Sequence, residues 1–139
     1  MTEVQIKAAL EKFEALIREQ DARSEAIKTQ GDFVDFASLE KLTIGVCGGD
    51  GIGPIITNEA ARVLEFLLKE DVAAGKIEFK TIDGLTIENR IAKNKAIPDD
   101  VLAEIKACNV ILKGPTTTLK GGTLESANVA MRRELDLYA

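Results

Sequence analysis

Two short apolar runs, each emptying into a glycine-bearing loop and then a helix, constrain this chain more than any other feature. Leu42–Val46 (LTIGV) enters Gly48-Gly49-Asp50-Gly51-Ile52-Gly53-Pro54, and Asn109–Leu112 (NVIL) enters the loop KGPTTTLKGG that precedes Ser126. Short apolar runs bounded by turn signals read as strands buried on both faces. Lys76–Ile82 alternates well enough for a third strand. Helical segments separate the three. Pro54 suits the first position of a helix, and Ile56–Leu68 carries helical periodicity. Leu85–Lys95 reads as a helix, and Pro98, Asp99 and Asp100 start another that runs to about Ala107. A last one spans about Ser126–Leu137. Strands separated by helices require crossover connections, so the expected fold class is α/β, three-layered, with parallel strands.

Residues 2–29 read as a further helix ahead of this pattern. Thr2 and Gln5 have capping-box spacing, and Ile6, Leu10, Phe13 and Ile17 share one face. Glu3 with Lys7 and Glu14 with Arg18 make i,i+4 charge pairs. The ordinary role of such a helix is to pack on its own domain or on a sister subunit. Gly31 and Asp32 end the pattern. The expected division is therefore an N-terminal helical extension over 1–40 and an α/β domain over 41–139.

Composition removes several function classes. With 139 residues and a net charge of −5, a broad nucleic-acid surface is not expected, and any anion site must be local. No apolar run is long enough to span a membrane, and the charged N-terminus shows no secretory signal, so a cytoplasmic protein is expected. The chain contains no histidine, which excludes a Ser-His-Asp triad, a Cys-His pair and the usual zinc sites within it. Cys47 and Cys108 lie in apolar strand-like runs and are expected to be buried, reduced thiols.

The glycine-rich turn does not match a dinucleotide fingerprint. It gives G-x-G-x-G followed by Pro54, where G-x-G-x-x-G is required, and no Gly-Lys-Ser/Thr follows for a phosphate loop. Its glycines allow either a tight turn or close backbone approach. The stretch after Lys113 is more informative. A helix N-terminus seats carboxylates, and Ser126 stands where this one starts, either as a cap or as a ligand. Asn128 and Arg132, four apart, share a helical face, and Arg132 offers a planar fork for a carboxylate. Arg133 points about 100° away, toward solvent or glutamates. Thr116, Thr117 and Thr118 add hydroxyls on a loop at the end of a strand, where open α/β sheets bind ligands. The residues by themselves support an anion-binding α/β module.

GDGIGP (Gly49–Pro54), AIPDDVLAEIKACNVILKGPTTT (Ala96–Thr118) and SANVAMRRELDLYA (Ser126–Ala139), in that order, resemble the isocitrate/isopropylmalate dehydrogenase family of β-decarboxylating dehydrogenases. The resemblance covers about residues 41–139 and implies an incomplete segment of that fold behind an extra N-terminal helix. Ser-x-Asn-x-x-x-Arg is similar to the isocitrate branch, since isopropylmalate enzymes place apolar residues there. The implied function is the N-terminal portion of an oxidoreductase that decarboxylates isocitrate to 2-oxoglutarate in the tricarboxylic acid cycle, using NAD or NADP and Mg2+ or Mn2+. By this resemblance Ser126, Asn128, Arg132 and Lys113 bind the tricarboxylate, Thr117 contacts the nicotinamide cofactor, and Ile52 lies near its ring. Leu119 where proline is common, Ile55 where an acid is common, Lys120, and Thr123 in place of a glycine depart from the pattern without removing a ligand.

The resemblance reaches roughly the first third of a family member. The catalytic tyrosine and lysine, the metal-binding aspartates and the adenosine-binding loops are expected outside this chain, which has no catalytic residue or metal ligand assigned to it. Tyr138 reads as packing. A homo-oligomer or a complementing C-terminal chain is the expected partner, because a thin sheet would expose apolar edges. Two other readings stand beside this one: a related dehydrogenase for isopropylmalate or homoisocitrate, and a non-enzymatic module that associates through helix 2–29.

Overall fold

The computed structural model describes residues 1–29, 34–122 and 124–137. Gly31, Asp32, Thr123 and Tyr138, which carried expectations above, lie outside the described residues. Two compact units are present, Met1–Ala37 and Ser38–Ala139.

In the first unit, α1 (Glu3–Thr29) is a single helix of 27 residues. Its start is a reciprocal capping box. The Thr2 amide donates to Gln5 Oε1 at 2.8 Å, and the Gln5 amide donates to Thr2 Oγ1 at 3.3 Å. Arg18 pairs with Glu14 at 2.6 Å on an exposed flank.

The second unit is built on three parallel strands. β1 (Leu42–Cys47) lies between β2 (Ile77–Thr81) and β3 (Val110–Lys113), so the first strand of the unit is the central one. Leu42 pairs with Ile77, and Ile44 with Val110. The helices are α2 (Gly53–Leu67), α3 (Lys69–Ala73), α4 (Ile87–Ala92), α5 (Asp99–Lys106) and α6 (Ala127–Glu134). The expected alternation of strands and helices is present, with one addition. The helix expected to end at Leu68 bends there (φ −101°, ψ 14°) and continues as α3. No glycine or proline marks that bend in the sequence, which is why it was not legible.

Side chains alternate across a strand. Cys47 of β1 joins Val101 and Ile105 of α5 and Ala127, Ala130 and Met131 of α6 in one core cluster with Ile82, Leu85 and Ile97. Ile44 and Val46 alternate with Cys47 and are also buried, on the face that α2 covers. That makes three layers. α2 packs through small residues, Gly53, Thr57 and Ala61. Its broad opposite face leaves Ile55, Val63, Phe66 and Leu67 between 59% and 72% exposed. Of the apolar edge surface expected of a thin sheet, Val110 on edge strand β3 is exposed, and the outer face of α2 is a separate exposed apolar surface.

Both cysteines are free thiols, but they are not equivalent: Cys47 is fully buried and Cys108 half-buried. Cys108 Sγ donates to the Glu104 carbonyl at 3.3 Å. Burial pushes the Cys47 thiol from 9.0 up to about 11, with Cys108 adding to the effect and Lys113 opposing it. The folded state holds this proton more tightly than the unfolded chain. Its contribution to stability is therefore intact below about pH 9 and is lost as pH rises toward 11. At pH 8 a thiol reagent should label Cys108 first and Cys47 only at the rate of unfolding. Equal labelling rates in the native protein would contradict the burial assignment.

Candidate functional site

The two loops at the carboxyl ends of β1 and β3 touch each other. The Asp50 amide donates to the Pro115 carbonyl at 2.8 Å, and the Gly114 amide donates to the Cys47 carbonyl at 2.8 Å. Gly49 adopts φ +74°, and a Cβ placed there would collide with the Pro115 carbonyl oxygen. A Cβ on Gly114 would collide with the Gly48 carbonyl oxygen. The glycine-rich turn thus serves close approach, and what approaches it is the threonine loop of the same chain. Two loops that leave neighbouring parallel strands at the same end of the sheet are thus in direct contact.

Asp50 fastens this contact. Its Oδ1 accepts from the Ile87 amide at 2.8 Å and its Oδ2 from the Thr117 amide at 2.6 Å. One carboxylate therefore joins the first turn, the start of α4 and the threonine loop. Sequence reasoning used Asp50 only for spacing. An acid set among glycines, whose bare amides leave room for a carboxylate to serve neighbouring backbone, was the available signal.

Arg90 was missed entirely. It lies on α4, whose first turn is capped by Thr86, and it is 1% exposed. Nε donates to the Ala96 carbonyl at 2.7 Å, Nη1 to the Thr117 carbonyl at 2.8 Å, and Nη2 to the Glu125 carbonyl at 2.9 Å. Among the described residues no carboxylate pairs with it. The planar fork spends its donors on backbone, a geometry that a lysine head cannot copy. Asp50 thus holds the Thr117 amide and Arg90 holds the Thr117 carbonyl. The same guanidinium holds the residue that precedes Ser126. Threonine loop and α6 start are brought together by one buried cation.

The expected ligand residues lie on the elements that this frame joins. Ile52, Thr117, Asn128 and Arg132 are exposed, and Ser126 and Lys113 are half-buried. Ser126 occupies the N-cap of α6 in extended conformation (φ −60°, ψ 130°), yet its side chain makes no capping hydrogen bond. The capping role left open above is not the one its hydroxyl plays. Asn128 and Arg132 both fall within α6. Among the described residues Arg132 has no ion-pair partner. Its neighbour Arg133 behaves as expected of the opposite side, bonding Glu125 at 2.7 and 2.9 Å and Glu134 at 3.1 and 3.2 Å. Lys113 folds back on its own loop. Its Nζ donates to the Gly114 carbonyl at 2.5 Å and approaches Thr116 Oγ1 at 3.5 Å. Burial holds its ammonium below the usual range, opposed by Cys47 and Asp50 and reinforced by Arg90. Among the described residues no group of three acidic, cysteine or histidine side chains converges in a way that could hold a metal ion, and no helix is long and apolar enough to cross a membrane.

Residues 43–139 match the family model described as isocitrate/isopropylmalate dehydrogenase. Among curated proteins, the chain is 39% identical over 92 residues to a Coxiella burnetii protein named isocitrate dehydrogenase [NADP], covering 65% of this chain and 22% of that protein. Proteins of the same name from Staphylococcus aureus, 38% identical over 98 residues, and Archaeoglobus fulgidus, 42% identical over 94 residues, cover 65% and 66% of this chain. In both cases 21% of the relative is covered, so the chain spans about a fifth of the length of the curated relatives it matches.

Proposed function

The chain belongs to the isocitrate/isopropylmalate dehydrogenase family, and from that premise we propose that it supplies the substrate-facing and nicotinamide-facing wall of an isocitrate dehydrogenase. The observation that carries this reading is the state of the α6 start. Ser126 is at the N-cap without capping, and Arg132 is exposed on the same short helix without an ion-pair partner among the described residues. A serine hydroxyl, a carboxamide and a guanidinium recognise carboxylates, whereas an alkyl side chain would leave them unpaired. Isocitrate carries one carboxylate where isopropylmalate carries an alkyl group, so these residue types favour the isocitrate branch.

Each residue then has a distinct role. Arg132 would take a carboxylate bidentately, and Ser126 and Asn128 would hydrogen-bond the carboxylate that distinguishes isocitrate. Thr117 has its amide and carbonyl committed to Asp50 and Arg90, which fixes its backbone, and its hydroxyl would contact the nicotinamide. Ile52, exposed beyond the glycine turn, would cover the ring with apolar surface. Lys113 would hold positive charge behind the threonine loop. NADP, named for the relatives, is the favoured cofactor. A bound nicotinamide would supply the hydride acceptor, and a divalent Mg2+ or Mn2+ ion would supply Lewis acidity toward the substrate hydroxyl. Nothing among the described residues is assigned to the metal or to proton transfer, and this chain's part is binding and orientation.

The expected result for the purified 139-residue chain is no isocitrate-dependent reduction of NADP. The same segment grafted in place of the matching part of the Coxiella burnetii relative should support that reduction. Turnover by the chain alone, or a folded graft without activity on isocitrate, would contradict the proposal.

A further inference from the structure

α1 buries none of its 27 residues. An isolated helix is marginal in water unless its apolar face is covered. The row Ile6, Leu10, Phe13, Ile17 advances by four, three and four, the rhythm of a coiled-coil seam. The same seam continues as Gln20, Ser24 and Ile27, so its unbroken apolar layers are confined to the N-terminal half of the helix.

We propose that this half is a self-association surface on which two copies of α1 pair antiparallel, with Ile6 against the partner's Ile17 and Leu10 against the partner's Phe13. That register places all four apolar layers in contact at once. The flanking residues fix the direction. One flank carries Lys7, Glu14 and Asp21, and the other carries Thr2, Ala9, Leu16 and Arg23. Antiparallel pairing sets like flanks against each other. Lys7 then lies between the partner's Glu14 and Asp21, twice over by symmetry, and Ala9 meets the partner's Leu16 to widen the apolar strip. Parallel pairing sets unlike flanks together. Lys7 would face Thr2 and Ala9 and Glu14 would face Ala9 and Leu16, so beside the apolar layers neither charge would meet its opposite; only Asp21, beyond those layers, would meet Arg23. The Glu14–Arg18 bond within the helix is exposed and does not block the exchange, since such pairs contribute little.

Charge reversal on one flank of the full-length chain tests both occupant and direction. Lys7→Glu makes the flank acidic over residues 7–21, and Glu14→Lys with Asp21→Lys makes it basic over the same stretch. Each variant alone should dimerise at least about tenfold more weakly than the wild type in sedimentation velocity. An equimolar mixture should recover wild-type affinity or better, with the fluorescently labelled acidic chain sedimenting with the basic one. Circular dichroism of each variant checks that α1 is retained. Wild-type self-association by either variant alone, a mixture no tighter than its components, or a wild-type chain that is monomeric at high concentration would overturn the proposal. A dimer held by the exposed face of α2, or α1 packed on its own body, would give those results, because neither depends on the Lys7 flank.

Discussion

Replacing Arg90 with alanine is expected to lower the unfolding free energy of the Ser38–Ala139 unit by about 4 kcal/mol, the largest stability effect of any single side chain outside the apolar core. The expectation comes from what is left behind. Three carbonyls, of Ala96, Thr117 and Glu125, lose their donors in a place where the guanidinium is 1% exposed. A cavity the size of an arginine adds to the cost. Arg90→Lys should recover only part of the loss, because one ammonium cannot span three carbonyls that the fork reaches in a plane. Urea unfolding followed by far-UV circular dichroism measures it. A midpoint unchanged within error would mean that the threonine loop and α6 are held together by something other than this cation.

The second large effect falls on binding. In the graft with the Coxiella burnetii relative, Arg132→Ala is expected to reduce kcat/KM for isocitrate by about 10^3-fold, since a desolvated carboxylate would lose a bidentate, charge-assisted partner. Arg133→Ala should change it by less than about threefold, because that side chain is committed to Glu125 and Glu134 on the exposed flank. The contrast between adjacent arginines removes general effects of lost positive charge. Equal losses at the two positions would contradict the assignment of Arg132 to substrate.

How much of this was legible beforehand depended on whether the information was local. The strands at Leu42 and Val110, the helices other than α3 and the capping box at Thr2 follow from periodicity and turn residues close in sequence, and they are where the pattern placed them to within a few residues. That Arg133 leaves the face of Arg132 followed from helical geometry; that it meets Glu125, outside α6, did not. The frame of the site was not local. Asp50 reaches Ile87 and Thr117, 37 and 67 positions away, and Arg90 reaches Thr117 and Glu125, 27 and 35 positions away. No window of sequence shows such bonds. Arg90 also sits in a helix whose other features read as ordinary, so burial of its charge is visible only once the loops are packed around it. The role of Ser126 was ambiguous for a different reason. N-cap preference and ligand chemistry select the same residue types, and only the missing cap bond separates them.

The start of α6 is proposed to receive a third carboxylate. The most direct measurement is kcat/KM for isocitrate and for isopropylmalate in the graft, before and after the paired change Ser126→Leu and Asn128→Leu. Strong preference for isocitrate is expected before the change and a fall of at least about 10^2-fold in isocitrate use after it, with NADP affinity kept. Undiminished isocitrate use after the change, or an unmodified graft that prefers isopropylmalate, would contradict it.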